Sequence, residues 1–571
     1  MAANLRWGPG GRPNEYGLNG MTQETDPRES KTAKLGFGLA VIVFSWHVAH
    51  SDFLIDDAFI SFRYAANWAD GTGLSFNPGE APVEGYSNFL WVALLALTAK
   101  LGVPLEVGSR ILSISAAAGT LLLAYRALAV RGFRPYAIAG ASCSLALFPP
   151  FATWATGGLE TALFGLIFFA ALDRLTRPSG SHLPILVVTG ITLPLVRTDG
   201  FAFAVALAIA VAIAGDREAR RRLKPFLIAS TSTLALYLVW RKLHYDAWIA
   251  NTARAKTGLG PAVWARGLRT TASYLVVFGS PLLVLPALLP GLGTKRDGSE
   301  SSSQRTHFVL AGALSCAAFA AYNTLVGGDW MPMFRMLAPA SALYAVCLAG
   351  LAERLGKVSG TAVALGAGGL SLLPSFNLSV APRDLRESLD FRAFKTGYQS
   401  ERERWQRGVD NLRRFSTIGT GLAQIAEPEQ TFTAGAIGAI GYYSGLTILD
   451  RNGLVDREVA SLPGNPTGRS AGHDKRVPRS HFLTQRPDLF EALLVDRTIR
   501  GPESPGFRQA ARALGAQVFA DPDEAVLRDH ALPEAFPLRA ETHVPAEHSL
   551  IVLSATDDRA RARALWKTLG L

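Results

Sequence analysis

The chain has 571 residues, of which 49% are hydrophobic and 18% charged, with a net charge of +11 at pH 7. That charge does not signal nucleic acid, because much of it sits in short loops between apolar runs, where it sets membrane topology. Cys143, Cys316 and Cys347 all lie inside apolar runs, so no disulfide framework is visible, and no thiol–histidine cluster points to zinc.

Residues 1–34 are polar, Gly-rich and basic, and are expected to form a disordered cytoplasmic N-terminus. The first apolar run, 35–50, comes late and lacks a clear small-residue cleavage site, so it reads as a retained anchor rather than a signal peptide. Further runs follow at roughly 108–129, 135–150, 158–175, 184–196, 200–214, 225–243, 272–292, 307–326, 336–352 and 359–375. Most are sized to a bilayer; 184–196 and 200–214 are short enough to be re-entrant, and removing both preserves parity.

Run 87–103 opens Ser87-Asn88-Phe89-Leu90-Trp91 and carries Lys100. It is placed as an interfacial helix by charge. If it crossed, the Arg220–Arg222 cluster would face outward, against the positive-inside rule. If it does not, the loops holding Arg126, Arg131 and Arg134, then Arg174 and Arg177, then Arg217–Lys224 all fall in the cytoplasm. About eleven spans result, N-terminus in, with a transmembrane domain over 35–380 and a first outer loop at 51–107. No run carries Asp, Glu, Lys or Arg near its middle, which argues against an ion-driven carrier.

Residues 381–571 read as a separate extracytoplasmic soluble α/β domain. Thr431–Ile440, Thr447–Asp450, Leu489–Leu494 and Ala516–Ala520 are its candidate strands, alternating with helices such as Asp384–Asn411 and Asp557–Leu569. The stretch Gly435–Gly441 lacks a phosphate-loop pattern and reads as a strand with small residues.

Under this topology the outer loops collect charge. The first contains Asp56-Asp57-Ala58-Phe59-Ile60-Ser61-Phe62-Arg63-Tyr64, then Asn77-Pro78-Gly79-Glu80 and Val83-Glu84-Gly85-Tyr86. If Asp56–Trp68 is helical, Asp56, Ile60 and Arg63 share a face, and Phe59 and Phe62 anchor the helix at the interface. The later loops hold Thr156–Glu160, Arg197-Thr198-Asp199-Gly200, Asn251–Gly258 with Arg254 and Lys256, and Gly327–Arg335 with Asp329.

This set suits a sugar-phosphate lipid. Arg and Lys neutralise phosphate, and a carboxylate takes a proton from an acceptor hydroxyl or stabilises a cationic sugar centre. Tyr64, Trp68, Tyr86 and Trp330 offer flat faces for sugar. Blander roles exist for the same residues. Adjacent acids at a helix start suit the helix dipole, Arg197 and Asp199 can pair with each other, and Arg335 can snorkel to headgroups.

The strings Asp56–Tyr64, Asn77–Glu80 and Val83–Asn88 resemble the GT-C fold, and more narrowly the family of the mycobacterial terminal β-(1→2)-arabinofuranosyltransferase, whose relatives also carry the name flagellar motor control protein. The resemblance extends to Thr156–Glu160, Asn251–Gly258, Gly327–Arg335, Gly438–Ser444, Leu449–Asp456 and Gly472–Lys475. It implies a polytopic α-helical membrane glycosyltransferase of the bacterial inner membrane with a C-terminal soluble α/β domain. The implied donor is a polyprenyl-phosphate sugar, arabinofuranose foremost, and the acceptor a cell-envelope glycan or glycoprotein.

By the same resemblance the catalytic carboxylate maps to Asp56, with Asp57 beside it. Arg63, Tyr64, Glu160, Asn251, Lys256, Asp329 and Arg335 are candidates for donor phosphate and sugar. Tyr442, Tyr443, Asp450, His473 and Lys475 are candidates for the acceptor. The paired acids admit magnesium or calcium, although no full ligand set is legible. The rival readings are a lipid-linked-sugar flippase and a non-enzymatic scaffold near the flagellar motor.

Overall fold

The computed structural model describes residues 27–177, 183–256, 260–289, 300–390, 398–464, 475–496, 498–545 and 548–571. The helical part runs through α1 (Pro27–His50), α2 (Asp56–Ala69), α3 (Phe89–Lys100), α4 (Leu105–Val130), α5 (Pro135–Leu147), α6 (Pro149–Thr153), α7 (Thr161–Thr176) and α8 (Leu183–Val196). It continues through α9 (Gly200–Ala214), α10 (Arg217–Tyr245), α11 (Asn251–Ala255), α12 (Pro261–Phe278), α13 (Leu285–Leu288), α14 (Glu300–Leu325), α15 (Ser341–Leu355) and α16 (Lys357–Leu372). Proline at the first helical position starts α5, α6 and α12, where its missing N–H costs nothing. Asp216 caps α10 by accepting from the Ala219 N–H at 2.7 Å. Helix α1 begins at Pro27, ahead of the expected boundary at 35, and residues 1–26 of the expected cytoplasmic tail lie outside the described residues.

Lys31–His50, Leu105–Val130, Arg217–Tyr245, Ser301–Leu325 and Lys357–Phe376 are each long and apolar enough to cross a bilayer. Pro261–Phe278 and Ser280–Leu288, bent by 96°, together make a sixth. Helices α8 and α9, of 14 and 15 residues, are about 21–23 Å long and fall short of a hydrocarbon core of about 30 Å. Length and composition thus support five or six of the eleven expected crossings. Leu236, Leu243 and Val358 are 72%, 81% and 84% exposed, as lipid-facing side chains must be in a bundle this apolar.

The two ends of the bundle differ in chemistry. At one end Arg110, in the first turns of α4, pairs with Asp52, just beyond α1, at 3.1 Å. The start of α4 therefore lies beside the end of α1, with α2 and α3 between them in the chain. At the other end Arg131 pairs with buried Asp173 at 2.7 Å. Arg222 donates to the Arg174 and Arg177 carbonyls, and Arg305 meets Glu353 at 3.3 Å.

The C-terminal part contains α17 (Arg383–Ser388), α18 (Glu401–Ile425), α19 (Gly438–Ser444), α20 (Arg457–Ser461), α21 (Phe507–Val518) and α22 (Arg559–Thr568). Its strands are β1 (Thr431–Ala434), β2 (Thr447–Asp450), β3 (Leu489–Asp496), β4 (Ala531–Pro537) and β5 (His548–Ala555), in the order β2-β1-β3-β5-β4. Strand β1 is parallel to β2, Thr431 facing Thr447, and to β3, Phe432 facing Leu489. Strand β5 runs antiparallel to both β3 and β4. Pro533 and Pro537 lie on β4, at the sheet edge where a missing N–H is tolerated. A capping box of Ser400 and Glu403 starts α18.

Three expectations are corrected here. The strand expected over Thr431–Ile440 stops at Ala434, and Gly438–Ser444 is helical. Ala516–Ala520 is not a strand, because Ala516–Val518 ends α21. The sheet is covered on both sides: one face, with Phe432, Ile448, Leu550 and Val552, belongs to the hydrophobic core that also holds Phe59, Phe62 and Trp154 of the helical part. Alternate residues Ile551 and Leu553 face the other way, into a second core with Leu514 and Trp566 of α21 and α22. Phe59 and Phe62 are accordingly buried, not interfacial, with Phe59 5.5 Å from the Tyr442 ring.

Candidate active site

Helix α2 starts with two acids in its first turn, and its N-terminus points at the sheet domain. Asp56 Oδ1 accepts the Ala439 N–H at 2.8 Å, at the start of α19. Burial pushes the Asp56 carboxyl up to about 7; the N–H groups of Ala439 and Gly438 pull it back, and the Asp57 charge pushes it further up. The approach is close: a Cβ on Gly438 would lie 1.9 Å from the Asp56 carbonyl oxygen. Both Asp56 and Asp57 line a cavity of about 1510 Å³.

Four further loops reach the same cavity. Asn88 donates to buried Glu160 at 2.8 Å, and Arg197 donates to Glu160 at 3.2 Å. Arg197 also forks onto Asp199 at 2.8 and 2.7 Å, and the Tyr322 hydroxyl donates to Asp199 at 2.5 Å. The Asp199 carboxyl stays below the ordinary aspartate range: burial pushes it up, but Arg197 and the Tyr322 hydrogen bond outweigh that, helped by Lys256. Burial lowers the Lys256 ammonium, and Arg335 and Arg197 lower it further, while Asp199 and Asp57 oppose them. These mutual influences place acids and bases from four loops around one point. Lys256 itself borders the open cavity space and is accessible there, although protein surrounds it.

The fifth loop is held in an unusual path. Gly327 and Gly328 have φ of 86° and 81°, and Met333 and Phe334, without glycine's freedom, have 51° and 49°. Non-glycine residues rarely adopt this region, and they do so where neighbours over-determine the backbone. Here Asp329 accepts the Met331 and Met336 N–H groups at 3.1 and 3.2 Å, and Glu401 accepts the Met333 N–H at 2.6 Å. The Trp154 indole N–H donates to the Pro332 carbonyl at 3.2 Å. Arg335, 3.6 Å from Asp329, leaves this loop to line the cavity.

Six sequence-predicted residues thus meet at the cavity: Asp56, Asp57, Glu160, Lys256, Asp329 and Arg335. The others sit elsewhere. Arg63 is buried and its guanidinium donates to the Phe76, Gly441 and Leu446 carbonyls at 2.6, 2.6 and 2.7 Å. It clamps the first loop to the α19 segment and does not line the cavity. The Tyr64 hydroxyl donates to the Val83 carbonyl and accepts from Gly85. Asn251 donates to the Gly453, Leu454 and Asp456 carbonyls.

The acceptor candidates are scaffold as well. Tyr442 packs on Phe59 and Phe62, and Tyr443 donates to Glu106 at 2.8 Å. Asp450 accepts the Asn452 and Val455 N–H groups, with its carboxyl raised by burial to about 6. Lys475 donates to the Arg254 and Ala460 carbonyls. His473 lies outside the described residues. Sequence reasoning missed Tyr322, and it missed the α18 face with Arg407 and Arg414 that forms one wall. Among the described residues no three His, Cys, Asp or Glu are grouped to hold a metal ion.

The architecture has counterparts among solved structures. The crystal structure of ArnT from Cupriavidus metallidurans bound to undecaprenyl phosphate matches over 92% of this chain and 98% of that one, at 11% identity and a TM-score of 0.51. The chain has the GT-C fold. The arabinofuranosyltransferase AftD from Mycobacteria matches over 91% of this chain but 40% of that one, at 13% identity and a TM-score of 0.42. Residues 399–542 match a family described as a domain of unknown function, DUF8728. No curated protein matches the sequence. Within the GT-C frame, the DUF8728 segment carries α18 and β1 to β4, and so contributes the wall of the cavity that faces the sheet.

Proposed function

We propose that this protein is an integral-membrane glycosyltransferase that moves a sugar from a polyprenyl phosphate to a cell-envelope acceptor on the extracytoplasmic face. The observation that carries this is the meeting of Asp56, Asp57, Lys256 and Arg335, from three separate loops, in one cavity at one end of an apolar bundle. The basic residues gathered at the opposite end support placing the cavity outside. ArnT, of the same fold, was solved with undecaprenyl phosphate, which supports a polyprenyl-phosphate carrier here. The first-loop resemblance favours arabinofuranose as the donor sugar.

Chemistry assigns the roles. A sugar on a polyprenyl phosphate is a phosphodiester with one negative charge. When the C1–O bond breaks, the leaving polyprenyl phosphate gains a second. Lys256 and Arg335 stabilise that developing charge in a cavity that is partly shielded from water. The acceptor hydroxyl gives its proton to Asp56, and its oxygen forms the new bond to C1. A carboxyl poised near 7 is suited to take that proton at neutral pH. Glu160, Arg197, Asp199 and Tyr322 form the hydrogen-bonded backing that fixes the loops. The polar cavity draws its lining from one end of the bundle, which favours transfer over transport across the bilayer.

The test is purified protein in lipid nanodiscs supplied with a panel of polyprenyl-phosphate sugars, with product and released polyprenyl phosphate followed by mass spectrometry. Turnover of at least one donor, lost in Asp56→Asn, is expected. Absence of both turnover and polyprenyl-phosphate binding across the panel would overturn the proposal.

A further inference from the structure

The cavity does not end at the membrane cluster. It follows one face of α18, where Arg404, Arg407, Asn411, Arg414 and Ile418 recur at helical spacing. At 1.5 Å per residue this is a wall of about 21 Å. Its lower end is tied to the donor loops: the Trp405 indole N–H donates to the Ser51 carbonyl at 3.2 Å, and Glu401 holds Met333. Its upper end lies against the sheet domain, where Gly419 approaches Ala439 and Ile440. The facing wall brings Arg476, Gln517 and the carboxyl end of β1, the place where open α/β sheets receive ligands.

The charges along this upper part are unbalanced. Arg451 and Arg479 are both engaged by buried Glu524, at 2.8 and 2.7 Å, and Arg479 also by Glu491. Arg404 meets Asp390 at 3.1 Å. Arg407, Arg414 and Arg476 have no hydrogen bond or ion pair among the described residues. Three guanidiniums unpaired among the described residues leave this part of the cavity positive, and a planar guanidinium can fork onto phosphate or carboxylate oxygens.

We propose that the upper cavity, lined by Arg407, Arg414 and Arg476, binds the acceptor through anionic groups, so that the acceptor is a saccharide bearing phosphate or carboxylate rather than a neutral glycan. The inference rests on reading the lower cavity as the donor site, since that is what makes the upper part the acceptor's path. The wall's length suits an oligosaccharide threaded toward Asp56 rather than a single sugar.

The experiment measures binding to full-length protein in nanodiscs with two pairs of probes. One pair is tetragalacturonate and its neutral methyl ester; the other is a phosphorylated mannopentaose and its neutral parent. At least one anionic probe is expected to bind more tightly than its neutral partner, and less tightly as salt rises. The anionic member that binds identifies carboxylate or phosphate as the recognised group. The triple variant Arg407→Gln, Arg414→Gln, Arg476→Gln should weaken that probe by at least about tenfold, while the corresponding triple Lys variant retains most of the binding. Equal binding of charged and neutral probes, or no loss in the correctly folded Gln variant, overturns the proposal.

Undecaprenyl phosphate is titrated in parallel, with Lys256→Gln, Arg335→Gln as its own control. If only the saccharide arm fails, the acceptor inference falls and the donor reading stands. If only undecaprenyl phosphate fails to bind, the donor reading falls, and with it the acceptor role, leaving an anion site alone.

Discussion

The Asp56 carboxylate accepts its hydrogen bond from Ala439, a residue 383 positions further along the chain. One oxygen of the proposed base is therefore fixed by the sheet domain. The bond orients the group, and the burial that accompanies it raises the carboxyl to about 7.

Asp56→Asn keeps an oxygen for the Ala439 N–H but cannot take a proton. Transfer should fall by about 10²- to 10⁴-fold in kcat, the range of general acid–base contributions. The melting temperature should stay close to that of the unaltered protein. Near-normal turnover would remove Asp56 from the mechanism.

The pH dependence has a definite sign. Asp56 has a folded value near 7 against an ordinary 3.8, so between about pH 4 and pH 7 the folded state binds more protons than the unfolded state. Stability from this group is greatest at low pH and declines as pH rises through that window. Activity runs the other way, rising toward a plateau above pH 7 as the base ionises. Thermal melts and kcat profiles of unaltered protein and Asp56→Asn check both. The variant should lose the inflection in each.

Lys256→Gln and Arg335→Gln each remove a cation from the donor cluster. A charge-assisted contact contributes about 1.5–3 kcal/mol, so each change should weaken polyprenyl-phosphate binding by roughly 10- to 150-fold. Acceptor KM should hardly move. Isothermal titration with undecaprenyl phosphate in nanodiscs measures the first, and acceptor titration the second.

Gly438→Ala places a methyl group 1.9 Å from the Asp56 carbonyl oxygen, where backbone must shift to accommodate it. A loss of about 1–3 kcal/mol is expected, as for other overpacked sites, with activity falling alongside stability. Gly369→Ala is the control: nothing lies within 4 Å of the added carbon, and alanine is the better helix former. Its melting temperature should hold or rise.

Asp329→Ala removes the carboxylate that accepts the Met331 and Met336 N–H groups and sits beside Arg335. Met333 and Phe334 then lose part of what holds them at positive φ, and Arg335 loses its aim. Donor KM should rise, and limited proteolysis should gain a cleavage site within 327–336.

Much of this was legible in the sequence. Among the described residues the apolar runs singled out there are largely helical, with 272–292 broken at Gly279, because runs of such length and composition have few other solutions in lipid. The placement of α3 as non-crossing came from counting arginines; the Asp52–Arg110 pair sets the start of α4 beside the end of α1. The loops gave Asp56, Glu160, Lys256 and Arg335 because charged residues between apolar helices stand out.

What sequence could not give was direction. Arg63 shares its helix with Asp56, yet it turns toward the carbonyls of Gly441 and Leu446, partners that no local pattern announces. Strand β1 was drawn too long because Gly and Ala between Ala434 and Gly441 are silent on period; a close approach to Asp56 decided the matter. Arg407 and Arg414 were not singled out in the sequence, and only the sheet standing opposite turns their helix face into a wall. The spacing of four basic or amide residues at 404, 407, 411 and 414 was the available signal.

Arg63 reaches its partners only once residues 441 to 446 exist. On the ribosome, the first helices are inserted while those carbonyls are still untranslated, so a nascent chain carries Asp56 for most of its synthesis with no partner for it. Long-range contacts of this kind form late. A chain stopped short of β1 would therefore carry its early helices without the contacts that fix Arg63 and Asp56, and its cavity would lack the sheet wall.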